Sequence, residues 1–408
     1  MREERASGSK WSGLRLLADR SYRLLWTGQT VSSFGDRFIG VALPFAVLAA
    51  GHGVGALGLV LAARSIPSLA FLLISGVVAD RMPRRLVMLT SDGVRAVVHL
   101  TLAALLASGG ATVAAFAILE ALFGAADAFF EPATTGLVLE LVPKESLQQA
   151  NAFLSLSRNT ISVAAPAISA FVIVTAGPAW AFAIDGLSFV VSGICLAMLR
   201  VPAGERTSGH APFLRELGEG WRYVASERWL WFTIGTFAIN NVFFTAFFVL
   251  GPFIALEALG GPPSWGLIAA AGAVGALLGS IAAVRWTMRR PLLASYVLMP
   301  LAAPPLLLLS RPTAAWSIAI AQAVAWAAIS FGNTLWFTVM QQHVPEDKIS
   351  RASAVDYFGS FILNPIAFGI VGPVSGVLGV STTLVICGLA LLILPLIQLV
   401  IIPEIRRM

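Results

Sequence analysis

The amino-acid sequence predicts an all-α membrane protein with twelve transmembrane helices in two halves of six. Of its 408 residues, 57% are hydrophobic and only 12% are charged, and the mean hydropathy is +0.83. These values lie far outside the range of soluble domains. The chain also contains twelve apolar segments of about 20 residues or more, the length needed to cross a bilayer. A polar linker separates the sixth segment from the seventh.

The basic residues predict how the chain is oriented. A net charge of +6 could indicate nucleic-acid binding, but most of the 27 Lys and Arg residues lie in alternate connections between the apolar segments. The other connections contain only Arg311, and Arg37, Arg64, Arg95 and Arg158 lie inside segments. Cytoplasmic loops of membrane proteins are enriched in Lys and Arg. The basic residues therefore predict a protein of the cell inner (plasma) membrane with both termini in the cytoplasm. We expect it to be a monomer that contacts lipid and does not bind nucleic acid.

The first half is predicted to span residues 24–199, after a charged cytoplasmic segment at 1–23. Its helices are predicted at 24–50, 55–79, 86–107, 111–133, 148–176 and 179–199. The connections on the side away from the termini are short and rich in Gly and Pro, which is typical of helical hairpins.

The second half is predicted to span residues 229–402, between a cytoplasmic linker at 200–228 and a cytoplasmic tail at 403–408. Its helices are predicted at 229–255, 263–287, 291–310, 313–340, 353–374 and 380–402. The linker ends in an amphipathic stretch that we expect to lie on the membrane surface. The last two helices are divided by a turn predicted from Gly369 to Gly379, because the stretch is rich in Gly and contains Pro373. Two six-helix repeats are expected to face each other across a central cavity.

The fourth predicted helix carries three carboxylates on one face. Glu120, Asp127 and Glu131 follow each other with Gly124 at spacings of four, three and four residues. Charge inside a transmembrane segment is energetically costly and usually functional. We expect Glu120 or Asp127 to bind and release a coupling proton, with Asp36 of the first helix as the reserve. Glu131 is expected to pair with a basic loop residue.

Asp36 needs a partner from another helix. It is adjacent to Arg37, and neighbouring residues on a helix point about 100° apart, so the two cannot simply neutralise each other. Arg64 and Arg158 are the basic candidates, since both lie well inside apolar segments. A structural ion pair and a contact with substrate or proton remain equally open for these residues.

The second half offers mostly uncharged polar stripes among aromatic residues. The stripes are Thr233, Thr236 and Asn240; Gln322, Trp326, Ser330 and Asn333; and Asp356, Ser360 and Asn364. With the neighbouring Phe and Trp residues they predict an aromatic cavity wall, suited to a bulky, partly apolar ligand. Hydrogen bonds between helices are the alternative for about half of these positions. The predicted substrate-cavity residues are Asp36, Arg64, Arg158, Asn240, Gln322, Trp326, Asn333 and Asn364.

No motif indicates an enzyme, a metal site or a cofactor. The sequence has no phosphate-binding loop and no nucleophile motif, and its four His residues lack metal-ligand spacing. His99 is expected to be a packed residue. Cys195 and Cys387 lie in apolar segments, and we expect both to be small core residues.

Five motifs resemble one known family. The pattern Gly76-x-x-x-Asp80-Arg81-x-x-Arg84-Arg85 lies at the end of the second predicted helix. The others are Ser33-Phe34-Gly35-Asp36, Arg64-Ser65-Ile66-Pro67, Phe130-Glu131-Pro132-Ala133 and Gln149-Ala150-Asn151. Together they are similar to the major facilitator superfamily, in the branch of the bacterial macrolide-efflux proteins and enterobactin exporters.

The resemblance implies a gate and a function. Gly76, Asp80, Arg81, Arg84 and Arg85 would form a gating motif in which Asp80 faces the start of the eleventh helix, near 350–353. Arg84 would reach Glu131 or Glu140. The implied function is export of a small, bulky, partly hydrophobic molecule, such as a drug, antibiotic or siderophore, by alternating access and proton antiport. A lipid or lysolipid flippase, a nutrient importer and a non-transporting membrane receptor are the alternatives.

Overall fold

The computed structural model describes residues 16–143, 146–201, 213–345 and 348–406, apart from the side chains of 73, 76, 77, 79, 80, 213–217 and 350. The first half consists of six helices. They are α1 (Arg20–Ala49), α2 (Val54–Arg81), α3 (Arg84–Ala107), α4 (Val113–Leu141), α5 (Leu147–Ala176) and α6 (Pro178–Met198). Helix α1 begins earlier than predicted because Asp19 caps it, accepting a hydrogen bond of 2.8 Å from the backbone N–H of Tyr22.

The second half contains six more spans, two of which are broken. Its helices are α7 (Phe213–Ser226), α8 (Arg228–Ala258), α9 (Pro262–Arg285), α10 (Pro291–Leu298), α11 (Ala303–Ser310), α12 (Ala315–His343), α13 (Ile349–Phe361), α14 (Asn364–Leu378) and α15 (Val380–Ile401). Helices α10 and α11 form one span, and α13 and α14 form another, so the described residues contain twelve helical segments that are long and apolar enough to cross a membrane. The predicted fold class is confirmed.

Proline residues explain the two broken spans. A 3-10 turn, Met299–Ala302, joins α10 to α11 and contains Pro300. Pro365 lies in the first turn of α14, directly after the break at residues 362–363. Proline has no backbone N–H to donate and clashes with the preceding turn, so a helix bends or ends before it. The spans predicted at 291–310 and 353–374 are present as Pro291–Ser310 and Arg351–Leu378, and each contains a break that the sequence analysis did not anticipate.

The predicted turn from Gly369 to Gly379 is wrong. Helix α14 continues to Leu378, and only Gly379 leaves the helix, with φ +86°. Lipid offers no hydrogen-bond partners, so the backbone of a membrane segment stays helical despite Gly and Pro. Gly372 has a packing role instead, because it lies against the backbone of Gly55 in α2, where a Cβ atom would have no room.

Among the described residues, the two halves share a hydrophobic core on one side. We call the side at which α1 begins and α15 ends the terminus side. On the opposite side, a single hydrophobic core contains Phe45 and Phe182 of the first half and Leu250 and Leu306 of the second. On the terminus side each half has its own core, one that includes Met88 and Leu137 and one that includes Trp336 and Met340.

Small residues bring the halves together on the opposite side. Helix α2 packs against α14, and α5 packs against α9. Gly58 lies against the backbone carbonyl of Phe368, and Gly266 lies against Pro166 and Ala170. A larger side chain at either glycine would separate the helices, so these contacts define the closed side.

Helix α7 belongs to the second half. Glu219 lies 2.6 Å from Arg351 of α13, and Gly220 fits against the backbone of the same residue. The amphipathic stretch predicted at the end of the linker is therefore a helix docked on α13.

Candidate functional site

A charged cavity of about 420 Å³ lies within the first half. It is lined by Gln29, Ser32, Ser33, Asp36, Arg37, Arg64, Arg95, Asp127, Phe130, Glu131 and Arg158, from helices α1 to α5. Four of the residues that the sequence singled out thus share one cavity: Asp36, Arg64, Asp127 and Arg158. Glu120 does not line it.

Arg95 is the centre of the charged cavity. Its side chain is 1% exposed, and its guanidinium lies 2.6 Å from Asp92, 3.2 Å from Asp127 and 3.7 Å from Asp36. The guanidinium carbon also lies 3.9 Å from the ring centre of Phe130. Arg95 is thus the described cation that pairs with Asp36, in place of the candidates Arg64 and Arg158, because α3 brings it between α1 and α4.

Behind Arg64 lies a row of completely buried ionisable side chains. Arg64 is 3.2 Å from Glu120, and the other oxygen of Glu120 is 3.3 Å from Nε2 of His99. Nδ1 of His99 contacts Asp185. We call Arg64, Glu120, His99 and Asp185 the buried chain, and only Arg64 among them lines the charged cavity. His99 also stacks on Phe123 at 4.2 Å, so it is packed as expected but has two acidic neighbours that the sequence analysis missed.

Two atoms of the buried chain are placed so that they could share a proton. Nε2 of His99 and Oε1 of Glu120 lie 3.3 Å apart, and neither has a hydrogen-bond partner among the described residues. A neutral imidazole that donates through Nδ1 to Asp185 presents Nε2 as an acceptor. Two acceptors then face each other, and a single added proton would satisfy both. The geometry therefore offers a place for an exchangeable proton.

The carboxylates of α4 do not act as one stripe. Glu120 pairs with Arg64 and Asp127 with Arg95, while Glu131 lies 2.8 Å from Arg158. The expectation that Glu131 pairs with a loop residue is wrong, since Arg158 lies within α5. Each acid has its own cation, so mutual repulsion is not what organises this face.

Arg37 differs from the other cavity cations. It is exposed, it lines the charged cavity, and within the described part of the chain it forms no ion pair. It therefore adds positive charge without anchoring another helix.

A second, aromatic cavity of about 480 Å³ lies within the second half. Its aromatic lining is Phe237, Phe244, Phe248, Trp326, Trp336, Phe337, Tyr357, Phe361 and Phe368. Its polar lining includes Asn240, Asn241, Asn333, Asp356, Ser360 and Asn364. Of the predicted substrate-cavity residues, the structure brings Asn240, Trp326, Asn333 and Asn364 together here.

Four polar residues of the predicted stripes lie elsewhere, and one of them, Ser330, has its hydroxyl 2.7 Å from that of Ser280. Gln322 is buried beside Gly272, at the contact of α9 with α12, and does not line the cavity. Thr233 and Thr236 lie 3.2 and 3.1 Å from the hydroxyl of Tyr296, which donates to them. Placing Gln322 in the cavity wall is wrong, because helical periodicity does not say which neighbour covers a face.

Asp356 is an acid whose setting the sequence analysis did not anticipate. Its side chain lines the aromatic cavity, and the residue is 8% exposed. It accepts hydrogen bonds of 2.9 Å from the indole N–H of Trp336 and 3.4 Å from the hydroxyl of Ser360. No cationic side chain among the described residues forms an ion pair with it. The sequence analysis placed Asp356 in a polar stripe with Ser360 and Asn364 beside aromatic residues, but it did not show that the carboxylate lacks a cation among the described side chains.

The two cavities face each other. Tyr357, which lines the aromatic cavity, lies within electrostatic range of Asp127 and Glu131, which line the charged cavity. A ligand between the halves would therefore meet charged groups on one side and aromatic rings on the other.

The basic residues of the gating motif tie helices of the first half together. Arg84 donates a 2.7 Å hydrogen bond to the carbonyl of Gly136 and lies 3.2 Å from Glu140. Arg85 donates to the carbonyls of Leu196 and Ala197 at 2.7 and 2.5 Å. Arg81 is exposed at the end of α2. Gly76 is described only as part of α2. The side chains of Asp80 and of residue 350, which the family resemblance sets opposite each other, lie outside the described residues.

Among the described residues, no group of three or more His, Cys, Asp or Glu side chains is arranged to hold a metal ion. Cys195 and Cys387 are both buried and free.

Comparison with known sequences identifies a family and two similar proteins. The sequence model of the Major Facilitator Superfamily matches residues 25–368. The uncharacterized MFS-type transporter YkuC of Bacillus subtilis is 33% identical over 142 residues, which are 35% of this chain and 33% of YkuC. Macrolide efflux protein A of Streptococcus pyogenes is 24% identical over 250 residues, 59% of this chain and 60% of that protein. The matched region thus spans about a third and three-fifths of these relatives.

Solved structures share the fold. The nucleoside transporter NupG superposes with a TM-score of 0.75 at 11% identity, covering 93% of this chain and 100% of NupG. A POT family transporter in complex with 5-aminolevulinic acid has a TM-score of 0.72 at 12% identity, covering 95% and 96% of the two chains. At these identities the likeness concerns architecture alone.

Proposed function

This chain belongs to the Major Facilitator Superfamily, and from that premise we propose that it exports a small, bulky, partly hydrophobic molecule by alternating access. Membership makes the protein a multi-pass membrane transporter and not an enzyme. The cargo, the direction of transport and the driving force are the parts that we propose. We place the protein in the plasma membrane with both termini in the cytoplasm, as the basic residues predict.

The aromatic cavity is the observation that carries this proposal. Its volume of about 480 Å³ falls in the range of small-molecule sites, and its wall contains nine aromatic side chains and four asparagine amides. Such a wall suits a drug, an antibiotic or a siderophore-like molecule. The relationship to macrolide efflux protein A makes a macrolide the first compound to test.

Proton antiport is the proposed driving force. The charged cavity and the buried chain place several carboxylates near the middle of the first half, where an unpaired negative charge is costly and protonation relieves the cost. Glu120 and Asp127 are the proposed coupling residues, and Asp36 is the reserve. Arg64 connects them to the cavity, because it lines the cavity and also pairs with Glu120.

Alternating access follows from the way the halves are joined. They share a core on the side opposite the termini and have separate cores on the terminus side. With cytoplasmic termini, the closed side is extracellular, and the second state would open there. The halves would then move largely as rigid bodies about the central cavities.

An efflux assay tests the proposal directly. Cells with and without the protein are loaded with a macrolide, a hydrophobic dye, a siderophore or a fluorescent lysolipid, and retention is measured with and without an ionophore that collapses the proton gradient. We expect lower retention of at least one hydrophobic compound, and we expect the ionophore to abolish the difference. Higher retention of the compounds indicates uptake, and an effect confined to the lysolipid indicates a flippase; either result contradicts the proposal.

Two tryptophans of α12 provide a matched control. Trp326 lines the aromatic cavity, whereas Trp316 is 64% exposed on the outer surface. Trp326→Ala should abolish or retarget the efflux, and Trp316→Ala should leave it unchanged. Equal effects of the two substitutions would remove the aromatic cavity from the proposal.

A further inference from the structure

The aromatic cavity contains a carboxylate that the described side chains leave without a cation. Asp356 accepts hydrogen bonds from Trp336 and Ser360, which are both neutral, and it is 8% exposed. A buried ionised carboxylate among apolar side chains is unfavourable unless a positive charge accompanies it. The site is therefore incomplete as it stands.

Two asparagine side chains that line the cavity with Asp356 lack a hydrogen-bond donor among the described residues. The side-chain oxygens of Asn240 and Asn364 are buried and have no hydrogen-bond partner within the part of the chain that the structure describes. Their neighbour Asn241 uses its amide nitrogen to donate 2.9 Å to the carbonyl of Ser360, and the amide nitrogen of Asn240 lies 3.5 Å from the sulfur of Met299. The cavity thus presents several hydrogen-bond acceptors. A ligand with N–H donors would satisfy them.

The aromatic wall suits a positive charge as well. Phe244 and Trp326 pack edge to face with ring centres 6.2 Å apart, and Tyr357 packs on Phe361 at 5.0 Å. Aromatic faces attract cations through their quadrupole. The same rings provide the apolar surface for the remainder of a ligand.

Asp127 and Glu131, which line the charged cavity, should attract such a ligand less strongly than Asp356 does. Asp127 and Glu131, which lie within electrostatic range of Tyr357, already pair with Arg95 and Arg158. Asp356 has no such cation. A positively charged ligand gains most by binding at Asp356.

We propose that Asp356 binds the protonated amine of an amphiphilic ligand whose apolar body lies against the aromatic wall. The assignment of this ligand as the cargo rests on the proposed function, whereas the binding site itself does not. The class predicted is an organic molecule with one basic amine and a bulky apolar or aromatic body. Neutral and acidic molecules of the same shape should bind more weakly.

A pair of fluorescent probes tests this proposal. Purified full-length protein in lipid nanodiscs is titrated with monodansylcadaverine, which carries a protonated primary amine, and with its N-acetyl derivative, which is neutral. Binding is measured by fluorescence anisotropy. We expect the amine to bind about tenfold more tightly or better, the effect of a hydrogen bond to a charged group. Equal affinity of the probes, or binding of neither, overturns the proposal.

Variants locate the preference for the amine. Asp356→Asn keeps the shape of the side chain and an acceptor for Trp336, so the protein should fold while the preference disappears; Asp356→Glu should retain part of it. Glu257→Gln should keep the preference, since Glu257 is exposed at the end of α8 and lines neither cavity. A preference that survives Asp356→Asn, or that Glu257→Gln abolishes instead, overturns the assignment.

The binding test and the efflux test fail separately. If the protein binds the amine through Asp356 but exports nothing, the proposed function is wrong and the site stands. If it exports hydrophobic compounds without regard to an amine, the site is wrong and the proposed function stands.

Discussion

In the first half, the side chain of Arg95 contacts carboxylates from three helices. Asp36 comes from α1, Asp92 from α3 itself and Asp127 from α4, so one buried guanidinium joins three helices. Its planar fork of five N–H donors can serve several carboxylates at once, which a lysine ammonium does less well. Buried charge that loses its partner is strongly destabilising.

Arg95→Gln should therefore destabilise the protein, by about 3 to 5 kcal/mol, because three carboxylates would share no cation. Arg37→Gln is the matched control, since Arg37 is exposed and forms no ion pair within the described chain; its effect should stay within about 0.5 kcal/mol. Thermal unfolding of the purified proteins in the same detergent compares them. Equal stability of the two variants would show that Arg95 does not hold these helices together.

Glu120 and Asp127 lead to a prediction about coupling. Glu120→Gln and Asp127→Asn preserve side-chain shape but remove a group that can bind and release a proton. Each should abolish accumulation driven by a proton gradient in inside-out vesicles while leaving ligand binding detectable. In Glu120→Gln the amide can donate to Nε2 of His99, so the buried chain no longer has a place for the proton.

The exposed acid Glu257 supplies the control for this measurement, and Glu257→Gln should transport like the parent. If both coupling variants still respond to the gradient and to pH as the parent does, the coupling group lies elsewhere, and Asp36→Asn becomes the next variant to test.

At the scale of elements, the connection between α2 and α3 is short and firmly attached. It consists of Met82 and Pro83, and Arg84 and Arg85 follow it. Arg84 binds the carbonyl of Gly136 within α4, and Arg85 binds carbonyls in the last turn of α6. Carbonyls at a helix C-terminus lack intrahelical partners and attract cations. The arginines thus stabilise the terminus side of the first half. Asp80 is the acidic residue of the gating motif, and we predict that it acts between the halves.

Asp80→Asn should leave the protein folded but cut transport severely, because we predict that the carboxylate faces the positive N-terminal end of α13 when the terminus side closes. Transport and the amount of folded protein are measured together. Asp19→Asn is the control, since Asn also caps a helix well and Asp19 only caps α1. Full transport by Asp80→Asn would rule out the latch.

At the scale of the whole molecule, glycine contacts decide which side is closed. Gly58 and Gly266 have no room for a larger side chain where the halves meet. Because interiors are close-packed, a bulkier residue there must separate the helices. The closed side would then open without any ligand.

Gly58→Val and Gly266→Val should therefore expose Val249, a fully buried residue of α8 next to Gly58. The test introduces Val249→Cys in a background without the two native cysteines and measures labelling by a membrane-impermeant thiol reagent. Labelling should be slow in that background and fast with either substitution. Gly235→Val is the control, since nothing lies near its Cβ position. Unchanged labelling would show that these glycines do not hold the closed side.

The sequence by itself determined the architecture of this protein. The length and apolar character of each segment predicted twelve spans, and lipid permits almost only helices for such segments. Helical periodicity also placed Glu120, Asp127 and Glu131 on one face of α4, and Asn240 and Trp326 in an aromatic setting. These features follow from local properties, because periodicity and hydropathy are read within one helix at a time.

Only the tertiary structure decided which residues meet. Arg95 became the partner of Asp36, His99 joined Glu120 to Asp185, and Gln322 turned away from the cavity beside Gly272. A periodic pattern says which face of a helix is polar but not which helix covers that face. That choice depends on how all the helices pack, so ion pairs between distant segments and the unpaired state of Asp356 are properties of the assembled bundle.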